Sequence, residues 1–134
     1  MPEYLPPPLL LALVVCDSIW TERTSGTPTL LGLFSEIEST IFPVLHPRLA
    51  IHVCMTDAHG NVPIRLQLVD ADEEHAPIFR VEREIEFPDR RAIITMNVQV
   101  EEIAFPSPGE YHIQLFGYGE LILERRIVVH QVEA

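Results

Sequence analysis

The residues from Pro106 to Phe116 constrain the fold of this chain more than any other stretch. Pro108 and Gly109 form a turn pair, because proline holds φ at about −65° for the second position of a type II turn and glycine takes the positive φ of the third. An alternating strand follows, and it begins with Tyr111. Its two faces differ in chemistry, as in a sheet with one face buried and the other in water. This stretch predicts a β-sandwich.

The chain is 134 residues long, which is the size of one domain. We expect residues 1–134 to form a single sandwich with a proline-rich N-terminal extension at residues 1–8. A hydrophobic content of 47% argues against disorder in spite of a net charge of −11. A surface with this net negative charge repels phosphate backbones and anionic lipids. We therefore expect neither nucleic acid nor a membrane as a partner.

The apolar segment from Leu9 to Cys16 is interpreted as a buried strand that ends at the turn former Asp17. The residues before it include Glu3 and a run of prolines, and they lack the basic residues that begin a secretory signal. The segment is also too short to span a bilayer. We therefore expect a cytoplasmic protein, in which Cys16 and Cys54 are buried thiols, with a disulfide between them as the alternative.

Turn residues divide the chain into about seven to eight predicted strands. The first six cover residues 9–16, 29–38, 48–56, 63–70, 78–87 and 94–100. A closing hairpin around Gly117-Tyr118-Gly119 supplies the rest. A three-residue loop there would pair Phe116 with Glu120, Leu115 with Leu121 and His112 with Glu124. Arg125 and Arg126 then predict a bulge or an arginine at the margin of the core.

No motif has the spacing of a catalytic or metal site, so we predict no catalytic residue, no metal ligand and no cofactor. The carboxylates of Asp70-Ala71-Asp72-Glu73-Glu74 are hard ligands of the kind that suits Ca²⁺. The run lacks the glycine and the distal glutamate of a helix–loop–helix calcium loop, which favours a solvated turn. The six histidines contain no His-x-His pair. Glu82, Glu84 and Glu86 alternate as the wet face of a strand.

Apolar side chains exceed what a two-layer sandwich buries. Phe116, Ile122 and Val128 are expected on the side of the closing hairpin opposite its core residues, with Tyr118 at the tip, and the first two strands are apolar on both faces. An exposed patch of this kind marks a partner interface. The alternative is that the loop at residues 41–47 covers it.

Two sets of residues carry a resemblance to known proteins. Pro108-Gly109-Glu110-Tyr111 and the final strand Arg126-Ile127-Val128-Val129 resemble the closing hairpin of immunoglobulin-like sandwiches, where a tyrosine fixes a corner. Cys16-Asp17, Leu30-Leu31-Gly32-Leu33-Phe34 and Phe42-Pro43 resemble an uncharacterised bacterial family of small stand-alone all-β proteins.

This resemblance implies an all-β, immunoglobulin-like antiparallel β-sandwich and carries no activity with it. Pro108, Gly109 and Tyr111 are its expected structural corner, with the Tyr111 hydroxyl bonded to the backbone of the preceding turn. The paired cysteines and core tryptophan of antibody domains do not occur here in their usual order.

The sequence therefore predicts a non-enzymatic module that acts through protein contacts. It would associate with itself as a homo-oligomer or serve as an adaptor for a protein partner. The alternative is a sandwich that binds Ca²⁺ or a carbohydrate through its loops, and a hydrolytic enzyme comes third.

Overall fold

The computed structural model describes residues 4–134, and the regular secondary structure in that range consists of β-strands. In chain order these are β1 (Leu9–Thr21), β2 (Pro28–Leu33), β3 (Glu36–Ser39), β4 (Val44–Thr56), β5 (Gly60–Asp70), β6 (Phe79–Phe87), β7 (Ile94–Phe105), β8 (Gly109–Gly117) and β9 (Glu120–Gln131). A four-stranded sheet has the order β2-β1-β4-β7, and a five-stranded sheet has the order β3-β9-β8-β5-β6. No helix that could cross a membrane occurs in residues 4–134.

Side chains from both sheets join in one hydrophobic core. Alternate residues of β4 and β5 supply its centre, because successive side chains of a strand point to opposite faces. The largest fully buried side chains are Tyr111, Phe87, Phe105, Leu49, Ile51, Met55, Ile64, Leu66, Leu68, Ile113, Leu115 and Ile127. The all-β class predicted from the alternating pattern is confirmed.

The predicted strand at residues 29–38 is two strands that belong to different sheets. β2 pairs antiparallel with β1 in the four-stranded sheet, whereas β3 pairs parallel with β9 in the five-stranded sheet. The chain crosses between the sheets at Phe34 and Ser35. Both parts are apolar or alternating, so hydrophobicity alone shows no boundary between them. Residues 4–134 contain nine strands where seven to eight were expected.

Strand β7 continues beyond its predicted end at Val100 because the face that it turns to the core changes. Met96 and Val98 are buried in its first half, and Ile103 and Phe105 are buried in its second half. Glu102, with φ of +53°, lies at the change. A residue in the left-handed region interrupts the alternation of side chains between the two faces. A prediction based on strict alternation therefore ends this strand too early, at Val100.

The closing hairpin, β8 with β9, has a tighter turn than predicted. Gly117 pairs with Glu120, and Phe116 pairs with Leu121, which leaves Tyr118 and Gly119 in the turn. Both turn residues have positive φ, +52° and +78°, as a two-residue type I′ turn requires. The register then shifts between Leu115 and Phe116, so the expected pairing of Leu115 with Leu121 is wrong.

Tyr111 is buried and its hydroxyl is bonded to the backbone before β8, as the sequence predicts. The Tyr111 hydroxyl donates to the Ser107 carbonyl over 2.6 Å, and the Ser107 N–H lies 3.4 Å from the same oxygen. Gly109 has a positive φ, as expected, but at +142° it differs from the roughly +80° of a type II turn, and it is the first residue of β8. The phenol ring is buried and meets Phe105 edge-on, with centroids 5.0 Å apart.

The arginine expected at the core margin is Arg125. It is half-buried, and its guanidinium lies 3.5 Å from the Phe34 carbonyl oxygen. The bulge of β9 lies nearer its start, between the partners of Leu115 and Phe116.

The proline run at the N-terminus packs against the closing hairpin. Pro8 is buried, and a Cβ placed on Gly117 would lie 3.0 Å from the Pro8 ring and 3.0 Å from Ile122. Residues 7 and 8 are therefore part of the folded unit, whereas residues 1–3 of the predicted extension lie outside the described residues.

Candidate interaction surface

The four residues predicted to form an interface do not share one exposed surface. Phe116 is half-buried beneath Arg65, whose guanidinium carbon lies 3.9 Å from the ring centroid. Tyr118 and Ile122 are half-buried and pack against the main core. Val128 lies six residues from Ile122 along β9, which is about 20 Å in an extended strand. The register shift in the closing hairpin thus places Ile122 against the core and not on the outward side as predicted.

Hydrogen-bonded polar groups cover the outward face of the five-stranded sheet. Gln67 donates to Gln114 over 2.8 Å, and Gln114 donates to Glu124 over 2.7 Å. The ring nitrogens of His112 lie 2.7 Å from Glu110 and 3.4 Å from Glu124, so the predicted neighbours His112 and Glu124 do meet, although in another register. The hydrogen bond with His112 lowers the pKa of Glu110. Gln67 and Gln114 are buried, and since these polar groups bond to one another, they do not call for a partner molecule.

The acidic turn at residues 70–74 does not gather its carboxylates. Burial raises the pKa of Asp70, but hydrogen bonds from His75 and from nearby backbone N–H groups outweigh it and lower the pKa. Glu73 turns towards Gln114, 3.5 Å away. A cavity of about 510 Å³ lies between the turn and the Tyr111 corner. In residues 4–134, no three His, Cys, Asp or Glu side chains are placed to hold a metal ion.

Strands β1 and β2 continue as a two-stranded ribbon after β1 stops pairing with β4. The pairing of β1 with β4 stops at Cys16 and Ala50, whereas its pairing with β2 runs on to Thr21 and Pro28. The predicted strand end at Asp17 is therefore wrong. Gly32, with φ of +71°, lies beside Asp17, and a Cβ there would come within 2.4 Å of the Asp17 carboxylate. We call residues 18–33 the front hairpin.

Large apolar side chains are exposed on the front hairpin. Trp20 is 61% exposed, Leu31 is 50% exposed and Leu33 is 66% exposed. Trp20 and Leu31 are diagonal neighbours, because their cross-strand partners are Thr29 and Ser18. We call Trp20, Leu31 and Leu33 together the front surface.

The base of the front hairpin is anchored to the sheet. Ile19 and Leu30 pack with the fully buried Cys16 and Ala50 in a second, smaller apolar cluster. The Ile19 N–H also donates to the Gln99 side-chain oxygen over 3.3 Å. These contacts hold the ribbon in place, so the front surface is presented by a fixed element.

Internal hydrogen bonds order the tip of the front hairpin. The Glu22 N–H donates to the Thr27 carbonyl over 3.0 Å. The Glu22 carboxylate accepts from the hydroxyls of Ser25 and Thr24 over 2.8 and 2.9 Å, and these bonds lower its pKa. Glu22 and Arg23 are the charged residues of segment 18–33, so this segment has no net charge in a strongly acidic chain.

Of the four edge strands in residues 4–134, β2 alone has no charged residue. Charges protect the other edges against pairing with another chain. Arg83, which interrupts the apolar face of β6, also reaches the edge of β7 and donates to the Asn97 carbonyl over 3.2 Å. The protecting charges are Glu36 and Glu38 on β3, Arg80, Glu82, Arg83, Glu84 and Glu86 on β6, and Glu101 and Glu102 on β7.

The sequence offered one signal for this surface. The sequence predicts that the first two strands are apolar on both faces. The apolar side chains beyond those that the core needs lie on the front hairpin. Trp20 was missed because the first strand was expected to end at Asp17, which left Trp20 in a loop. The cross-strand register was needed to place Trp20 beside Leu31.

The two cysteines are free thiols in neighbouring strands of one sheet. Cys16 pairs with Ala50, and Cys54 pairs with Ala12. Four residues of β4 therefore separate the two positions, which is about 13 Å. A disulfide needs Cα atoms less than about 7 Å apart, so the alternative of a Cys16–Cys54 bridge is wrong for this fold.

Comparisons with known proteins add a family and no activity. The profile of the Family of unknown function (DUF6941) matches residues 11–130. A search of curated proteins gives no match. Among solved structures, the chain is similar to an immunoglobulin-like protein from Pseudomonas aeruginosa, with 10% identity, a TM-score of 0.42 and coverage of 96% of this chain and 100% of that one.

Proposed function

We propose that this chain, which belongs to a family of unknown function, acts without catalysis as a protein-interaction module. Its contact surface is the front surface, formed by Trp20, Leu31 and Leu33. The interaction function agrees with the expectation from the sequence, but its location moves from the closing hairpin to the front hairpin.

The single observation that carries the proposal is the exposure of these three large apolar side chains on a neutral, anchored ribbon. Apolar residues scattered singly on a surface need no explanation, whereas a group of them marks a contact with another molecule. Tryptophan is also among the residues that supply most binding energy in protein interfaces. The rest of the chain carries the −11 charge, so this segment differs from its surroundings in both charge and polarity.

We further propose that the two sheets pack as an immunoglobulin-like β-sandwich. The shared hydrophobic core supports this arrangement. So does the bond of Tyr111 to the Ser107 backbone, since a tyrosine corner is typical of that fold. In such a sandwich the front hairpin is an edge element of one sheet, where partners gain access most easily.

Site-specific crosslinking in the native cells tests the proposed function. A photo-crosslinking amino acid in place of Leu31 should give a discrete covalent product with another polypeptide chain. The matched control carries the same amino acid in place of Leu121, which is 47% exposed on the five-stranded sheet, and it should give little product. Equal products from both positions, or none from position 31, would show that the front surface is not a contact surface.

A further inference from the structure

We propose that the front surface binds a second copy of this chain, with the two β2 strands pairing antiparallel across a two-fold axis. This inference rests on the proposed function and names its partner. It would join two four-stranded sheets into one continuous sheet, with the front hairpins side by side.

The edge of β2 is open to such pairing. An unprotected edge strand is a template for another strand, and β2 is the uncharged edge strand of the described part of the chain. Pro28, at the start of β2, has no N–H to donate to another strand. Gly32, near its end, departs from the extended conformation, so neither residue can continue the pairing. The pairing stretch is therefore Thr29 to Leu31, centred on Leu30. Two-fold symmetry then places Leu31 of each copy beside the partner strand.

Charge favours this surface for a contact between identical chains. Two copies at −11 each repel one another. The front hairpin, with Glu22 balanced by Arg23, adds no net charge to the contact. Dissolved salt screens the remaining repulsion, so the dimer should strengthen as salt is added. A contact with a cationic partner would weaken instead.

The area of the front surface suits a weak symmetric dimer. An aromatic side chain buries about 150–250 Å², and with leucine taken near the lower end of that range the three side chains at their observed exposures offer roughly 350 Å² on each copy. Two copies offer about 700 Å² before the strand edge is counted, against about 1,200–2,000 Å² for a stable interface. A second copy brings the same apolar residues to the contact, so each front surface meets a surface of its own kind.

Sedimentation velocity of the purified full chain over a range of concentrations tests the inference. The wild-type mass should rise with concentration from 15.2 kDa towards twice that value, and it should rise at lower concentration in higher salt. Leu31→Lys and, independently, Thr29→Lys, two changes of exposed residues in the pairing stretch, should each weaken association at least tenfold. Leu121→Lys makes the same change of charge on the other sheet and should dimerise like the wild type. Circular dichroism of each variant establishes that it is folded.

The outcomes separate this inference from the proposed function. A wild type that stays at monomer mass at every concentration overturns self-association, and a crosslinked product from position 31 with a different protein would leave the proposed function standing. A dimer that survives both Leu31→Lys and Thr29→Lys, or that dissociates as salt rises, overturns the β2 contact. A monomer that also gives no crosslinked product at position 31 overturns both.

Discussion

Replacing Tyr111 with phenylalanine should destabilise the fold by about 1–2 kcal/mol. The hydroxyl donates to the Ser107 carbonyl over 2.6 Å and lies 3.4 Å from the Ser107 N–H. Tyr111→Phe removes these interactions and keeps the ring, which continues to meet Phe105 at a centroid distance of 5.0 Å. No cavity forms, so the loss is the hydrogen bonding alone. Ser107 is an exposed residue, and water that reaches its backbone keeps the cost below that of a wholly buried pair.

Urea unfolding at one fixed protein concentration measures this effect. With a dependence on urea of about 1.5–2 kcal/mol per molar, the midpoint should fall by roughly 0.5–1.3 M. Tyr4→Phe is the matched control, because Tyr4 also donates through its hydroxyl, to Glu120 over 2.7 Å, but is exposed. That substitution should change stability by less than about 0.5 kcal/mol.

Equal midpoints for Tyr111→Phe and Tyr4→Phe would refute the reasoning. They would show that the bond to Ser107 does not fix the corner, and the support that this corner gives to an immunoglobulin-like arrangement would be lost.

Three further predictions concern other parts of the molecule. In the native protein iodoacetamide should alkylate Cys54 and spare Cys16, since Cys16 is buried and burial raises the pKa of its thiol. Mass spectrometry of digests measures this, and alkylation of Cys16 with Cys54 spared would contradict the strand register. Gly117→Ala should destabilise by about 1–3 kcal/mol, because its Cβ would press on the proline run; unchanged urea midpoints would mean that the run is not packed there. The pKa of Glu110 is lowered in the folded state, mainly by His112, so the stability that this pair contributes is present above the ordinary glutamate pKa and is lost as pH falls through the folded value. His112→Gln should therefore flatten the acid-side loss of the urea midpoint, and an identical pH profile would contradict that pairing.

The sequence predicted the parts of this fold that depend on local chemistry. The turn at Pro108 and Gly109, the burial of Tyr111 and its bond to the preceding backbone all follow from residues that are close together along the chain. The alternation of β6 likewise predicted a strand within one residue of its bounds, Phe79–Phe87. In these stretches the local preference and the final structure agree.

The parts that were wrong depend on contacts between distant residues. Asp17 reads as a turn former, but Gly32 on the neighbouring strand leaves room for its carboxylate, so β1 runs on to Thr21. Glutamate has no preference for the left-handed region, so the local sequence does not mark Glu102 as the residue at which β7 changes face.

The interface residues illustrate the same limit. A shift of one residue in a hairpin moves side chains to the other face, and that shift places Ile122 against the core. The exposure of Trp20 depends on where β4 stops pairing with β1, which no local pattern encodes. The candidate surface therefore became visible only with the cross-strand register.

Collisional quenching of tryptophan fluorescence tests the central claim most directly, because Trp20 is the single tryptophan of the chain and lies on the front surface. At low protein concentration acrylamide should quench the emission readily, since the indole is 61% exposed. At high concentration the quenching should weaken and the emission should move to shorter wavelength, because the pairing puts Leu31 of the second copy opposite Thr29, the cross-strand partner of Trp20, and Leu31→Lys should abolish both changes. Quenching that is independent of concentration in the wild type, or an indole already shielded in dilute solution, would contradict the account.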